Sequence, residues 1–376
     1  MFIMKTMRVA MGLLLVFCLA LPAGAAKWDP KKEREIGEKV CAEVDKEYKR
    51  LEDEAALQRV KEIVDSVAAN SDRPEVQYDV RLVDSTEVNA FSIPGGFIYV
   101  TKGLLDAVQS DDELAGVLAH EIAHNCTYDA LEQAQRSQKL FLGALSAALA
   151  TVVLGADRDV SVVTAQAGLY VRQGVLSRYS LEVEARADDN AVRYLLKSKY
   201  NPVGLLTFME RLAQEERRRM PPDQGVFETH PLSRTRVASL IEKITDVGVT
   251  VNRRAVIKWQ KPEVKEVDAA GGKWPAVTWW EQTIFVVVGP DAEQAKTRAE
   301  GTNQKLTEVL QAGAKRSDFT LEAADQGLAL VAKGEPVLVI TQADAQAQQT
   351  TVDKLADDAL TALRRALTRE RFAYEL

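Results

Sequence analysis

The sequence predicts an α+β chain in two parts: a mainly helical domain with a small edge sheet over residues 27–250, and a small C-terminal α+β domain over 276–376. Three observations lead there. Apolar residues recur at helical spacing through most of the first part, and short β-branched runs flank a Pro-Gly-Gly turn within it. After residue 250 the composition turns rich in Pro and Gly, then settles into strand and helix patterns. With 376 residues, 46% hydrophobic and 27% charged, the chain has the composition of a globular protein and the length for two or three cores. A net charge of -7 argues against a nucleic-acid partner, because phosphate binding needs a basic surface.

Taken in order, the chain begins with Lys5 and Arg8, an apolar run over 9–21, and the small residues Pro22-Ala23-Gly24-Ala25-Ala26. That is the three-part pattern of a secretory leader. Residues 1–26 are expected to be a signal peptide and the mature protein to be exported, to the periplasm; an uncleaved N-terminal anchor is the alternative. Cys18 does not make a lipid anchor, since Phe17 stands where a small residue is needed. Residues 30–70 read as two helices, with Ile36, Val40, Val44, Leu57, Val60 and Ile63 on their apolar faces. Residues 76–83 alternate like a strand, and 89–100 read as two short strands around Pro94-Gly95-Gly96. A helix follows from Thr101. Ser110 with Glu113 then forms a capping box that announces another. Cys41 and Cys126, left after leader removal, either pair or stay as buried thiols; neither has a His or Cys neighbour at ligand spacing.

Residues 140–156 carry no charge and sit at the lower limit of the roughly 17–25 residues that span a bilayer. Their Gly, Ala and Ser content suits a buried or lid-like helix, with peripheral membrane contact as the alternative. Helices are expected over 180–199 and from Asn201-Pro202 to about Arg218. Lys-Pro, Gly-Gly and Trp-Pro dipeptides mark 251–275 as a linker. The last domain then reads as a strand at 282–288, a helix at 291–313, strands at 318–323, 328–332 and 336–341, and a final helix over 343–369.

The capped helix carries His120-Glu121-Ile122-Ala123-His124. Positions i and i+4 project from one helical face, so two imidazoles there can bind one zinc at about 2.0–2.1 Å. Glu121 follows the first histidine, where its carboxylate can take a proton from an attacking water without ligating; zinc lowers the pKa of such a water to about 7. Only three histidines occur in the chain, and burying two unpaired imidazoles in so apolar a helix would be costly. A catalytic zinc needs a third protein ligand. No third histidine follows at short spacing, since Asp129 and Ala130 stand there, and the best candidate is Glu184, with Asp188 one turn on to orient a ligand histidine. On spacing alone a solvated acidic face accounts for these two carboxylates equally well.

Asn89-Ala90-Phe91, Pro94 to Val100, Gly103-Leu104-Leu105, Asp112 to His124, Glu184 with Ala187-Asp188, Tyr200-Asn201-Pro202 and Thr229-His230-Pro231 with Arg236 occur in this order. In these residues, over roughly 30–245, the chain resembles the gluzincin family that includes HtpX, the CAAX prenyl-protein endopeptidases, mitochondrial Oma and periplasmic BepA (metallopeptidase family forty-eight). The resemblance implies a zincin-like metallopeptidase fold with one Zn2+ per chain, metal ligands at His120, His124 and Glu184, and a general base at Glu121. It points to the soluble, exported branch of that family. Two departures stand out: Ser180-Leu181 where Ser-Arg is common, and Asn125-Cys126-Thr127 in place of an apolar continuation. His230, before a proline, reads as structural or solvated; the resemblance implies instead a loop that approaches zinc and gates it. Arg236 is expected to pair with a carboxylate, with oxyanion stabilisation as the alternative.

The substrates expected are proteins or peptides, bound as an added strand on residues 97–100 if these form a sheet edge beside the metal helix. The expected function is zinc-dependent endopeptidase cleavage of exported or misfolded proteins in periplasmic quality control. A zinc-stabilised chaperone or holdase with minor proteolysis is the rival reading. The last domain is only weakly similar to small periplasmic accessory domains and is expected to bind substrate or partner.

Overall fold

The computed structural model of the protein describes residues 28–136, 179–218 and 234–374. The expected signal peptide (1–26), the apolar stretch 140–156 and His230 lie outside the described residues. Two compact units divide between Val251 and Asn252. Among the described residues no helix is long and apolar enough to cross a membrane.

In the first unit, α1 (Pro30–Glu47) is started by Asp29, whose carboxylate accepts from the Lys31 N–H. Asp53 caps α2 (Glu54–Ala68) in the same way, and α2 buries Val60, Ile63, Val64 and Val67 along one stripe. β1 (Asp79–Val83), β2 (Ala90–Ile93) and β3 (Phe97–Thr101) form a sheet in the order β1-β3-β2, with β3 parallel to β1 and antiparallel to β2. Gly95 and Gly96, which link β2 to β3, have φ of 81° and 87°, values in the left-handed region that suit glycine. Glu33 of α1 accepts from the Gly95 N–H at 2.9 Å and pairs with Arg73 at 2.7 Å, so the first helix is fastened to this turn. The strand order corrects one expectation. β3 (residues 97–100) is the middle strand, its backbone engaged on both sides, and β2 is an outer strand that packs on the helix carrying His120 and His124. The other partner of β3, β1, lies upstream of the hairpin and pairs in parallel, so no local pattern announces the order.

A short helix α3 (Lys102–Ala107) leads to α4 (Asp111–Cys126), whose Ser110 cap accepts from the Glu113 N–H at 3.2 Å. The Glu113 side chain turns back one residue farther than a capping box requires and accepts from the Gln109 N–H at 2.7 Å. α4 is buried continuously from Glu113 to Cys126, because α2, β2, α5 (Leu181–Lys197) and α6 (Val203–Arg218) all pack on it. Contact with α6 is close enough to demand glycine. A Cβ at Gly116 would lie 2.6 Å from the Leu205 backbone, and one at Gly204 would lie 2.2 Å from the Asp112 carbonyl oxygen. α7 (Arg234–Asp246) packs on α5 and α6. Cys41 and Cys126 are free and buried.

The second unit contains two antiparallel three-stranded meanders, the first followed by one helix and the second by two. β4 (Glu263–Ala269), β5 (Gly272–Trp279) and β6 (Gln282–Val286) precede α8 (Ala292–Gln311). β7 (Phe319–Ala324), β8 (Gly327–Ala332) and β9 (Glu335–Thr341) precede α9 (Gln342–Ala347) and α10 (Val352–Tyr374). The core joins Trp279 and Phe285 to Leu306, Leu310, Phe319 and Leu363. The expected linker 251–275 is therefore corrected in its second half: from Glu263 on it is β4 and the start of β5, built into this unit. The expected single helix over 343–369 is two helices, parted near Gln349, whose φ is 52°. Asp344 of α9 is buried and takes two contacts from Arg298 of α8, at 2.6 and 2.7 Å.

Candidate metal centre

One turn of α4 separates His120 from His124, and their Nε2 atoms lie 3.0 Å apart. Glu184, in the first turn of α5, brings Oε2 to 3.4 Å from His120 Nε2 and Oε1 to 3.6 Å from His124 Nε2. One ligand atom from each of the three lies within 4.8 Å of the others, and all three side chains are buried. The helices therefore bring together the two histidines and the distant carboxylate that spacing alone left undecided.

Each imidazole is held from behind. Asp188 Oδ1 lies 2.9 Å from His120 Nδ1, and Asp129 Oδ2 lies 2.8 Å from His124 Nδ1. A carboxylate at Nδ1 fixes the proton there and leaves the Nε2 lone pair facing inward. Two inward lone pairs 3.0 Å apart repel unless a proton or a cation lies between them. Bonds of 2.0–2.1 Å in tetrahedral geometry would separate ligand atoms by about 3.3 Å, within the 3.0–3.6 Å span seen here. The donor set fits zinc.

Electrostatics follow from the same contacts. Burial pulls the His120 pKa down, but Asp188 and Glu184 outweigh it and push it up to about 10. His124 is raised as well, against burial, by Asp129 and Glu184. Burial works to raise Asp188, yet His120 and Arg236 hold it below the usual carboxylate range. Asp129 is lowered in the same sense by His124, Thr127 and Arg186.

Arg236 of α7 answers the expectation made for it. Its Nε and Nη2 donate to Asp188 at 2.8 and 2.7 Å, and its Nη1 lies 2.6 Å from Glu184 Oε2. It pairs with carboxylates, and it bridges Glu184 to the carboxylate that backs His120. Glu121 reaches the sheet, where its Oε2 accepts from the Ser92 N–H of β2 at 3.0 Å.

Several neighbours have no sequence signal of their own. Asp129 comes back under His124 because Tyr128 adopts φ 58° just after α4 ends, which reverses the chain. Arg73 lies over the Tyr128 ring at 4.3 Å and holds it there. Tyr179 stacks on His124 with ring centroids 4.5 Å apart. The departure at Asn125-Cys126-Thr127 has local uses. Asn125 Nδ2 donates to the Ile93 carbonyl at 3.0 Å, tying α4 to the hairpin, and the Thr127 hydroxyl lies 2.7 Å from Asp129 Oδ2. Leu181 is exposed at the start of α5, where its side chain makes no demand on the centre.

Known proteins share this part of the chain. The beta-barrel assembly-enhancing protease of Escherichia coli is 31% identical over 161 residues, 42% of this chain and 32% of that protein. Metalloprotease LoiP of the same organism is 29% identical over 191 residues, 51% of this chain and 71% of its own length. The mitochondrial metalloendopeptidase OMA1 of Schizosaccharomyces pombe is 24% identical over 190 residues, half of this chain and 53% of its own. The chain thus spans about a third of the length of the first of these curated relatives. A domain of unknown function (DUF8459) matches residues 276–370. Residues 54–244, just over half of the chain and the whole stretch that holds the two histidines and Glu184, match the model for peptidase family M48, and the chain belongs to that family.

Proposed function

We propose that the protein is a zinc-dependent endopeptidase that hydrolyses peptide bonds in exported or misfolded proteins, within periplasmic quality control. The observation that carries this reading is the buried convergence of His120, His124 and Glu184. These three would hold the ion, which when bound supplies the Lewis acidity that polarises a carbonyl and acidifies water. Family membership and the metalloprotease relatives support the same chemistry.

The chain's own groups do the rest. Glu121, buried and fixed by the Ser92 N–H, accepts a proton from the attacking water. The water oxygen bonds to the scissile carbon, the C–N bond breaks, and Glu121 returns the proton to the departing amine. Among the described residues no strand pairs with the outer side of β2, beside α4, and an extended peptide would bind there through main-chain hydrogen bonds with modest side-chain selectivity. That suits unfolded stretches of varied sequence. His230 remains the proposed gate of the centre, and the second unit a proposed substrate- or partner-binding module.

Glu121→Gln tests the reading. Cleavage of an unfolded protein such as casein is expected to fall by about 10²–10⁴-fold, while zinc content stays at one per chain. Cleavage that survives the substitution would remove Glu121 from the mechanism. A wild-type protein that suppresses aggregation but cleaves nothing with zinc bound would favour the holdase.

A further inference from the structure

We infer that Asp129 is a positioning residue for the metal centre, acting through His124; this rests on the zinc reading above. Its carboxylate is buried, and its contacts assign both oxygens. Oδ2 takes His124 Nδ1 at 2.8 Å and the Thr127 hydroxyl at 2.7 Å, while Oδ1 pairs with Arg186. The centre thereby acquires an internal symmetry. His120 is backed by Asp188, which Arg236 holds; His124 is backed by Asp129, which Arg186 holds.

The two halves are built differently. Asp188 lies on α5, one turn from Glu184, so its position follows from helical geometry. Asp129 lies beyond the end of α4 and reaches His124 only through the left-handed turn at Tyr128, which the Arg73 guanidinium covers. Arg186 stands two residues after Glu184 on α5 and closes a ring from His124 through Asp129 back to the helix that bears the third ligand. Asp129 therefore does two things for His124: it fixes the ring plane and the Nδ1 proton, and it raises the electron density at the Nε2 donor. An ordinary ion pair with Arg186 would do neither.

The test is zinc affinity, measured by competition with a chromophoric chelator on the full-length wild type, Asp129→Asn and Asp129→Ser. Asparagine keeps the shape and the hydrogen-bond acceptor but loses the charge. Serine withdraws the acceptor too, and is read in the same assay so that the result does not hang on one variant folding. Affinity is expected to fall by about 10–100-fold for Asn and at least as far for Ser. The visible spectrum of the cobalt-loaded protein is expected to shift in both, a change that loss of a surface ion pair would not cause. Wild-type zinc affinity in the folded variants, even with lowered thermal stability, overturns the assignment and leaves the peptidase reading intact. A wild-type protein that binds no zinc overturns both.

Discussion

Replacing Arg236 with methionine isolates what the guanidinium does at the centre. Arg236 is 5% exposed and makes three short contacts to two carboxylates, Asp188 and Glu184, whose side chains are 3% and 0% exposed. Methionine fills much of the volume and removes the charge, leaving two buried carboxylates one helical turn apart facing each other. Breaking a buried ion pair by removing one partner costs about 3–5 kcal/mol. For a unit of about 200 residues, each kcal/mol moves the thermal midpoint by about 2–4 °C, so the expected drop is about 6–20 °C. The measurement is a melt of the purified protein in excess chelator and again in zinc. The loss is expected to be largest in chelator and smaller with zinc, since a bound cation takes over part of the charge balance and stabilises the native state by mass action. A drop under about 2 °C in chelator would refute the reasoning, because it would mean that the carboxylates are neutral, solvated or balanced by His120 without the arginine.

Two further outcomes follow from packing and charge. Gly204→Ala puts a methyl 2.2 Å from the Asp112 carbonyl oxygen, where only backbone can yield, and is expected to destabilise the first unit by about 1–3 kcal/mol in chemical denaturation despite alanine's better helix propensity; an unchanged or raised midpoint would show that α4 and α6 do not touch there. In the second unit, burial tends to raise the Asp344 pKa, but Arg298 and Thr341 hold it below the usual carboxylate range. A depressed folded-state pKa gives stability that is present above the unfolded value of about 4 and is lost as pH falls through the lower, folded one. Asp344→Asn is therefore expected to be less stable than wild type at pH 7, with the gap closing below about pH 4; a gap that stays constant with pH would sink this account.

Much of the centre was legible because it is local. His120, Glu121 and His124 declare themselves by helical spacing, and Ser110 marks where their helix begins. Glu184 and Asp188 share a face of α5, but spacing alone could not say whether that face meets a metal or water, and the family resemblance tipped the balance. Asp129 was out of reach because its place depends on a left-handed tyrosine, a backbone state that residue type does not announce. The stretch 251–275 looked like a linker because Pro and Gly usually punctuate. In the structure Gly271 turns between β4 and β5, and Pro275 sits within the middle strand of its sheet, where proline is unexpected. The break between α9 and α10 falls at Gln349, in a stretch with neither glycine nor proline to signal it. Sheet order failed for another reason: which strand lies outermost is settled by a pairing with β1, a segment the hairpin itself does not contain.

The bond from the Ser92 amide to Glu121 bears on how a polypeptide would thread past the centre. A free strand border is a row of rungs, and a chain lying against it can in principle slide from one to the next. Here one rung is already taken, by the carboxylate proposed to move the proton. A ligand chain would find its grip interrupted there, and slipping by one residue would turn its side chains to the opposite face. Under the proposed binding mode the missing rung would work as a detent, indexing the chain against the centre by main-chain features that every peptide shares.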